Sequence, residues 1–114
     1  MDQLAALLAS MVVEGVTVAL LLARSGRGKL ARGIGVAALS TLATHPFAWW
    51  SIGAGELVVG YWVAVVAVEV LVCLAEATAY RIVVPLEWPA ALGVSVAANA
   101  ISTLAGLLYY VVAL

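Results

Sequence analysis

LVVGYWVAVVAVEVLVCLAEATAYRIVV, residues 57–84, is the stretch on which the fold turns. Over 28 residues only Glu69, Glu76 and Arg81 carry charge, and the run stops at Pro85, which cannot comfortably continue a helix. A membrane-crossing helix needs about 20 predominantly apolar residues, and this run exceeds that length. At about 1.5 Å per residue it would reach ~42 Å, past a hydrocarbon core of ~30 Å. The helix is therefore expected to tilt, or to carry Arg81 into the headgroups. No alternation of period two, the mark of a membrane β-barrel strand, is visible here or elsewhere.

Three further apolar runs flank it, over about residues 4–23, 33–52 and 88–113. The first is ended by Arg24-Ser25-Gly26-Arg27-Gly28-Lys29 and the second by Gly53-Ala54-Gly55-Glu56. The last opens at Trp88-Pro89, with proline suited to a first helical turn. Connections this short force consecutive helices to lie antiparallel. The composition agrees: of 114 residues, 67% are apolar and 10% charged, against about 45–50% and about 25% in a soluble domain. The mean hydropathy is +1.21. Five Lys+Arg cannot make a nucleic-acid footprint, and a single cysteine, Cys73, forms no intrachain disulfide. The expected fold is a single all-α integral membrane domain over residues 1–114, with four antiparallel transmembrane helices. The start Met1-Asp2-Gln3 lacks the positive n-region of a signal peptide, so the first run is expected to stay in the mature fold.

Charge placement predicts orientation. Arg24, Arg27, Lys29 and Arg32 fall in the first loop and Arg81 beside the third, two places on the same side of a four-span chain. The positive-inside rule puts that side in the cytoplasm, with both termini and the Gly53–Glu56 loop outside. Trp49, Trp50, Tyr61, Trp62, Tyr109 and Tyr110 would form an outer aromatic belt, with Tyr80 and Trp88 at the inner interface. The expected location is a bacterial or archaeal inner membrane.

The chemistry lies at membrane depth, where Glu14, His45, Glu69, Glu76, Asn99 and Ser102 fall within the spans. An acidic residue at a helix centre costs ~2.5–3.5 kcal/mol on insertion scales, so three exposed to lipid would cost ~8–10 kcal/mol. They should face the interior, be protonated, or be paired. Counted inward from the outer ends, Glu14, Glu69 and Asn99 sit near the midplane. His45 and Ser102 lie about one turn further out, and Glu76 about two turns further in. Phase groups them into stripes: Ser10, Glu14 and Thr17; Thr41 and His45; Glu69, Glu76 and Tyr80; Ser95, Asn99, Ser102 and Gly106. Pro46 removes a backbone hydrogen bond beside His45, making Thr44-His45-Pro46 the expected place for a bend. Each polar residue also has a plain structural reading. Glu76 could pair with Arg81, His45 could be a packed core histidine, and Asn99 and Ser102 could be interhelical glue.

In length, span number and its membrane-embedded Glu14, the chain resembles the small multidrug resistance transporters. That resemblance implies a first-helix glutamate that binds protons and cationic drugs alternately. Val13-Glu14-Gly15 and Thr44-His45-Pro46 depart from the family's pattern, and the likeness is confined to architecture and one residue. Separately, Glu69-Val70-Leu71, Ala75-Glu76-Ala77 and Arg81 look like a stretch of bacterial diacylglycerol kinase. Val72 and Tyr80 stand where that enzyme has an asparagine and an aspartate, and its surface helix and polar loop have no counterpart here. Neither likeness assigns the chain to a family.

The leading expectation is a small carrier or channel for a proton-coupled or cationic solute, working as a homodimer in the lipid bilayer. Glu14 and Glu69 would be the central pair, His45 an outer gate and Glu76 an inner relay. Small residues such as Gly33 and Ala37, or Gly93 and Ala97, could pack the dimer. The alternative is a divalent metal held by Glu14, His45 and Glu69, although no His-x-x-x-His or Glu-x-x-His spacing supports it. The third is an accessory subunit of a larger membrane complex. No nucleophile–base pair or phosphate loop argues for an enzyme, no resident cofactor is expected, and nucleic acid is not an expected partner.

Overall fold

The computed structural model describes residues 3–113, apart from the side chains of Gln3, Tyr110 and Ala113. Met1, Asp2 and the Tyr110 ring of the expected outer belt lie outside the described residues. Within them the chain is four helices: α1 (Gln3–Leu22), α2 (Arg27–Val59), α3 (Tyr61–Val83) and α4 (Trp88–Ala113). Three of them, over Leu4–Leu22, Tyr61–Val83 and Trp88–Tyr109, are long and apolar enough to cross a membrane. The helix α2 is not among these, because Thr41, Thr44, His45, Pro46 and the Trp49-Trp50 pair dilute its apolar stretch.

The boundaries correct two readings of the sequence. The Gly53–Glu56 segment is not a loop but part of the 33-residue α2. Four consecutive small or polar residues do not break a helix when packing supplies the missing propensity, and Gly55 faces Ala64 of α3. Arg27, Lys29 and Arg32 likewise belong to the opening turns of α2 rather than to a loop. α3 is correspondingly 23 residues long and spans ~34 Å, so the excess length expected of it disappears. α2 also runs unbroken through Pro46, which lies exposed on its surface.

One residue, Gly60, joins α2 to α3, at φ 88° and ψ 159°. Only glycine adopts that conformation at little cost. Its N–H is retained by the Glu56 carbonyl at 3.3 Å. Gly60→Ala should therefore lower unfolding stability by about 1–3 kcal/mol, read as a drop in the thermal or SDS unfolding midpoint. An Ala substitution at Gly53, where nothing lies within 4 Å, should lower it far less.

The helices form a square in which α1 packs on α2 and α4, and α3 packs on α2 and α4. Registers are antiparallel. Gly33 meets Leu22 and Thr41 meets Glu14, so the contact climbs α2 as it descends α1. Glycine at 33 is required by this approach, because a Cβ there would fall 2.3 Å from Leu22 Cδ1 and 3.1 Å from Val18 Cγ1. Gly33 and Ala37 are thus used up inside the chain and are not a dimer surface. Gly93, with nothing within 4 Å, faces outward.

Packing is uneven along the bundle. The core consists of Val18 and Leu22 of α1, Val36 and Ala37 of α2, Ala77, Tyr80 and Val84 at the α3 end, and Leu86, Ala91, Val94 and Ala98 leading into α4. All lie in the half nearer the basic residues. In the opposite half of α3, Ala64 and Val68 are the buried apolar residues. Tyr80, read from the sequence as an interface aromatic, is instead fully buried. It shares the α3 stripe of Glu69 and Glu76, and that stripe points into the bundle. Trp88 does lie at the basic end, with the Arg81 guanidinium 5.1 Å from its ring centroid.

Candidate functional site

Where the apolar core stops, the bundle encloses a polar cavity of about 160 Å³, room for several waters or a small solute. Each helix supplies the polar stripe read from the sequence. α1 contributes Ser10 and Glu14, and α2 contributes Thr41, Thr44, His45 and Trp49. α3 contributes Glu69 and Glu76, and α4 contributes Asn99, Ser102 and Thr103. All six residues singled out from the sequence as binding groups therefore line one cavity. Shared stripes brought them there because side chains three, four and seven apart on a helix project from one face.

The hydrogen bonds sort them into two tiers. In the inner tier the Thr41 hydroxyl donates to a Glu14 carboxylate oxygen. Asn99 Nδ2 donates to Glu76 Oε2 at 2.7 Å and to the Ser95 carbonyl at 2.8 Å. Ser95 Oγ donates across to the Cys73 carbonyl at 2.7 Å, so Ser95 and Asn99 tie α4 to α3. Glu14 and Glu76 are 5% and 1% exposed, which is deep burial for carboxyl groups. Glu76, expected two turns further in, belongs to this layer. α3 begins at Tyr61 instead of Leu57, which lowers every depth counted along it by about one turn.

The outer tier is unbonded. Glu69 is half-buried and, among the described residues, has no hydrogen-bond partner. His45 Nε2 is buried without a partner, and the ring lies 5.9 Å from that of Trp49. Glu69, expected to pair with Glu14 at the centre, lines the same cavity as Glu14. Pro46 itself is not in the wall. Trp49, read from the sequence mainly as an interface anchor, is.

No lysine or arginine lines the cavity. Arg81 does not pair with Glu76: its Nη1 donates to the Leu86 carbonyl at 3.3 Å. Glu14, His45 and Glu69 all reach the cavity, yet among the described residues they are not drawn together as a group that could hold a metal ion. Five polar or aromatic lining residues were absent from the expected binding set: Ser10, Thr41, Thr44, Trp49 and Thr103. Thr41 was visible as the residue one turn before His45, but nothing in the sequence said that its hydroxyl would meet Glu14.

Comparison with protein families, with curated proteins and with solved structures finds no match for this chain.

Proposed function

We propose that the protein is a small integral-membrane carrier or channel that moves protons or a small cationic solute through the cavity between its helices. The observation that carries this reading is the cavity's charge balance. Glu14, Glu69 and Glu76 enter it with no lysine or arginine to neutralise them. Buried carboxylates without counter-charges are stable only with a proton or a cation, and an exchange of one for the other is transport chemistry. The uneven packing also supports it, since the site is closed by the apolar core on the basic side and looser on the other. A coat of exposed apolar residues such as Leu20, Leu57, Trp50 and Ile82 suits a lipid environment on all sides.

In this reading all four helices span the bilayer, and Arg24, Arg27, Lys29, Arg32 and Arg81 face the cytoplasm. A cysteine introduced at Ser25 in a Cys73→Ala background should react with an impermeant maleimide only after the membrane is opened. Reaction in intact cells would reverse the orientation. A homodimer, packing through outward small residues such as Gly93 and Ala97, would widen a pathway that four helices alone leave narrow. The bilayer and the cargo are the remaining partners.

The test is proton flux in vesicles loaded with a pH-sensitive dye, with the purified chain reconstituted and an outward pH gradient imposed. Dissipation faster than in protein-free vesicles, either spontaneous or on adding tetraphenylphosphonium or a small amine as the cation, supports the reading. Dissipation at the protein-free rate under all three conditions overturns it.

A further inference from the structure

Among the described residues Tyr80 is the largest fully buried side chain, and its hydroxyl has no hydrogen-bond partner among them. An orphaned buried hydroxyl costs about 1–3 kcal/mol, and native structures seldom leave one without a ligand or water. Its direction is informative. Tyr80 lies one turn beyond Glu76 on the same stripe, and helical side chains lean toward the helix N-terminus, so the phenol reaches up toward the carboxylate layer. Glu76 and Glu14 are the charged groups that act on it. Arg81, the next residue, turns away to Leu86 and Trp88.

The groups meeting at this level are all oxygen donors. Glu14 and Glu76 bring carboxylates, Thr41 brings a hydroxyl, and Tyr80 brings its phenol. Asn99 commits both N–H bonds of its amide to Glu76 and Ser95, leaving Oδ1 as an acceptor. The imidazole of His45, a usual transition-metal ligand, makes no hydrogen bond to this set through its buried Nε2. On the basic side lies the apolar core that includes Val18, Ala77, Val84 and Ala98, so an ion held here would be reached from the cavity side.

We infer that the floor of the cavity is a binding site for a small, hard, dehydrated cation, held by the Glu14 and Glu76 carboxylates and capped from below by the Tyr80 hydroxyl. This rests on the carrier reading for its use but not for its existence. It divides the labour of the cavity, with the inner tier taking a bare coupling ion and Glu69 and His45 left to meet the solute. All-oxygen cages suit Na⁺ and Ca²⁺, and the number of ionised carboxylates decides between them.

The experiment is thermal unfolding of the purified full chain in detergent, with N-methylglucamine chloride replaced by NaCl or CaCl₂ at fixed ionic strength. A ligand that binds only the folded state raises the midpoint with its concentration. The wild type should show that rise with one of the two ions, and Tyr80→Phe should need about tenfold more of it, the loss of one contact of ~1.4 kcal/mol. Tyr109→Phe, altering an exposed tyrosine, should titrate as the wild type does. In N-methylglucamine alone, Tyr80→Phe should be at least as stable as the wild type, because it removes an unpartnered hydroxyl. A purely structural hydroxyl would make it less stable under every condition. Superimposable titrations of wild type and Tyr80→Phe, or no rise with either ion, would overturn the site. A Tyr80-dependent rise without any vesicle flux would uphold the cation site while the carrier reading fails. Flux without the rise would remove this site alone.

Discussion

Glu14→Gln should reduce proton flux in reconstituted vesicles to the protein-free rate while leaving the protein folded. Glutamine has nearly the same shape, and its carbonyl can still accept the hydrogen bond that Thr41 donates to Glu14. What it loses is the ability to exchange a proton or to balance a cation. Glu14 is almost fully buried, and it is the ionisable side chain that α1 brings to the cavity. The unfolding midpoint should stay the same or rise, since a buried ionisable group is exchanged for a neutral one. Loss of flux with the midpoint preserved would place Glu14 in the transport step. Flux at the wild-type rate would overturn the carrier reading at its central residue.

The second large effect is on stability. Asn99→Leu removes the hydrogen bond by which Asn99 of α4 holds Glu76 of α3, together with its bond to the Ser95 carbonyl on its own helix. It also strands the Glu76 carboxyl, which is 1% exposed. Hydrogen bonds to charged groups contribute about 1.5–3 kcal/mol, and a stranded partner adds its own desolvation cost. The expected loss is about 3 kcal/mol, seen as a lower SDS or thermal midpoint. Replacing both partners is the informative control. Asn99→Leu combined with Glu76→Met should recover most of the loss, because an apolar pair leaves nothing unsatisfied. If the double variant is no more stable than Asn99→Leu alone, the Asn99–Glu76 bond is not what joins the two helices.

These two residues show how far the sequence could be read. Glu14 and Asn99 were placed in a common polar layer from helix phase and from counting inward along each run, and both line the cavity. Phase is a local property of one helix, so it survives the absence of any tertiary information. The partners were not legible. Glu14 was expected beside Glu69 and meets Thr41, while Asn99 meets Glu76, which had been counted two turns away. Depth counted from a helix end inherits the error in that end. The Gly53–Glu56 segment reads as a turn by composition, yet it continues α2 because Gly55 packs closely on Ala64 of α3. Tyr80 reads as an interface aromatic because it neighbours Arg81, and only the rotation of α3 against its neighbours put the ring inside and Arg81 outside.

From the sequence alone follow the all-helical class, the number of helices, the gathering of basic residues at one end and the polar stripe on each helix. These depend on composition and on periodicity within single segments, which the chain carries in one dimension. The tertiary structure decided which stripes share hydrogen bonds, where α2 ends at Gly60, why Gly33 must be glycine, and that the Tyr80 ring and hydroxyl lie buried. Those features arise from the close approach of segments far apart in the chain. A shift of one turn in register or a small rotation of a helix changes every such contact, while leaving the pattern along the sequence the same.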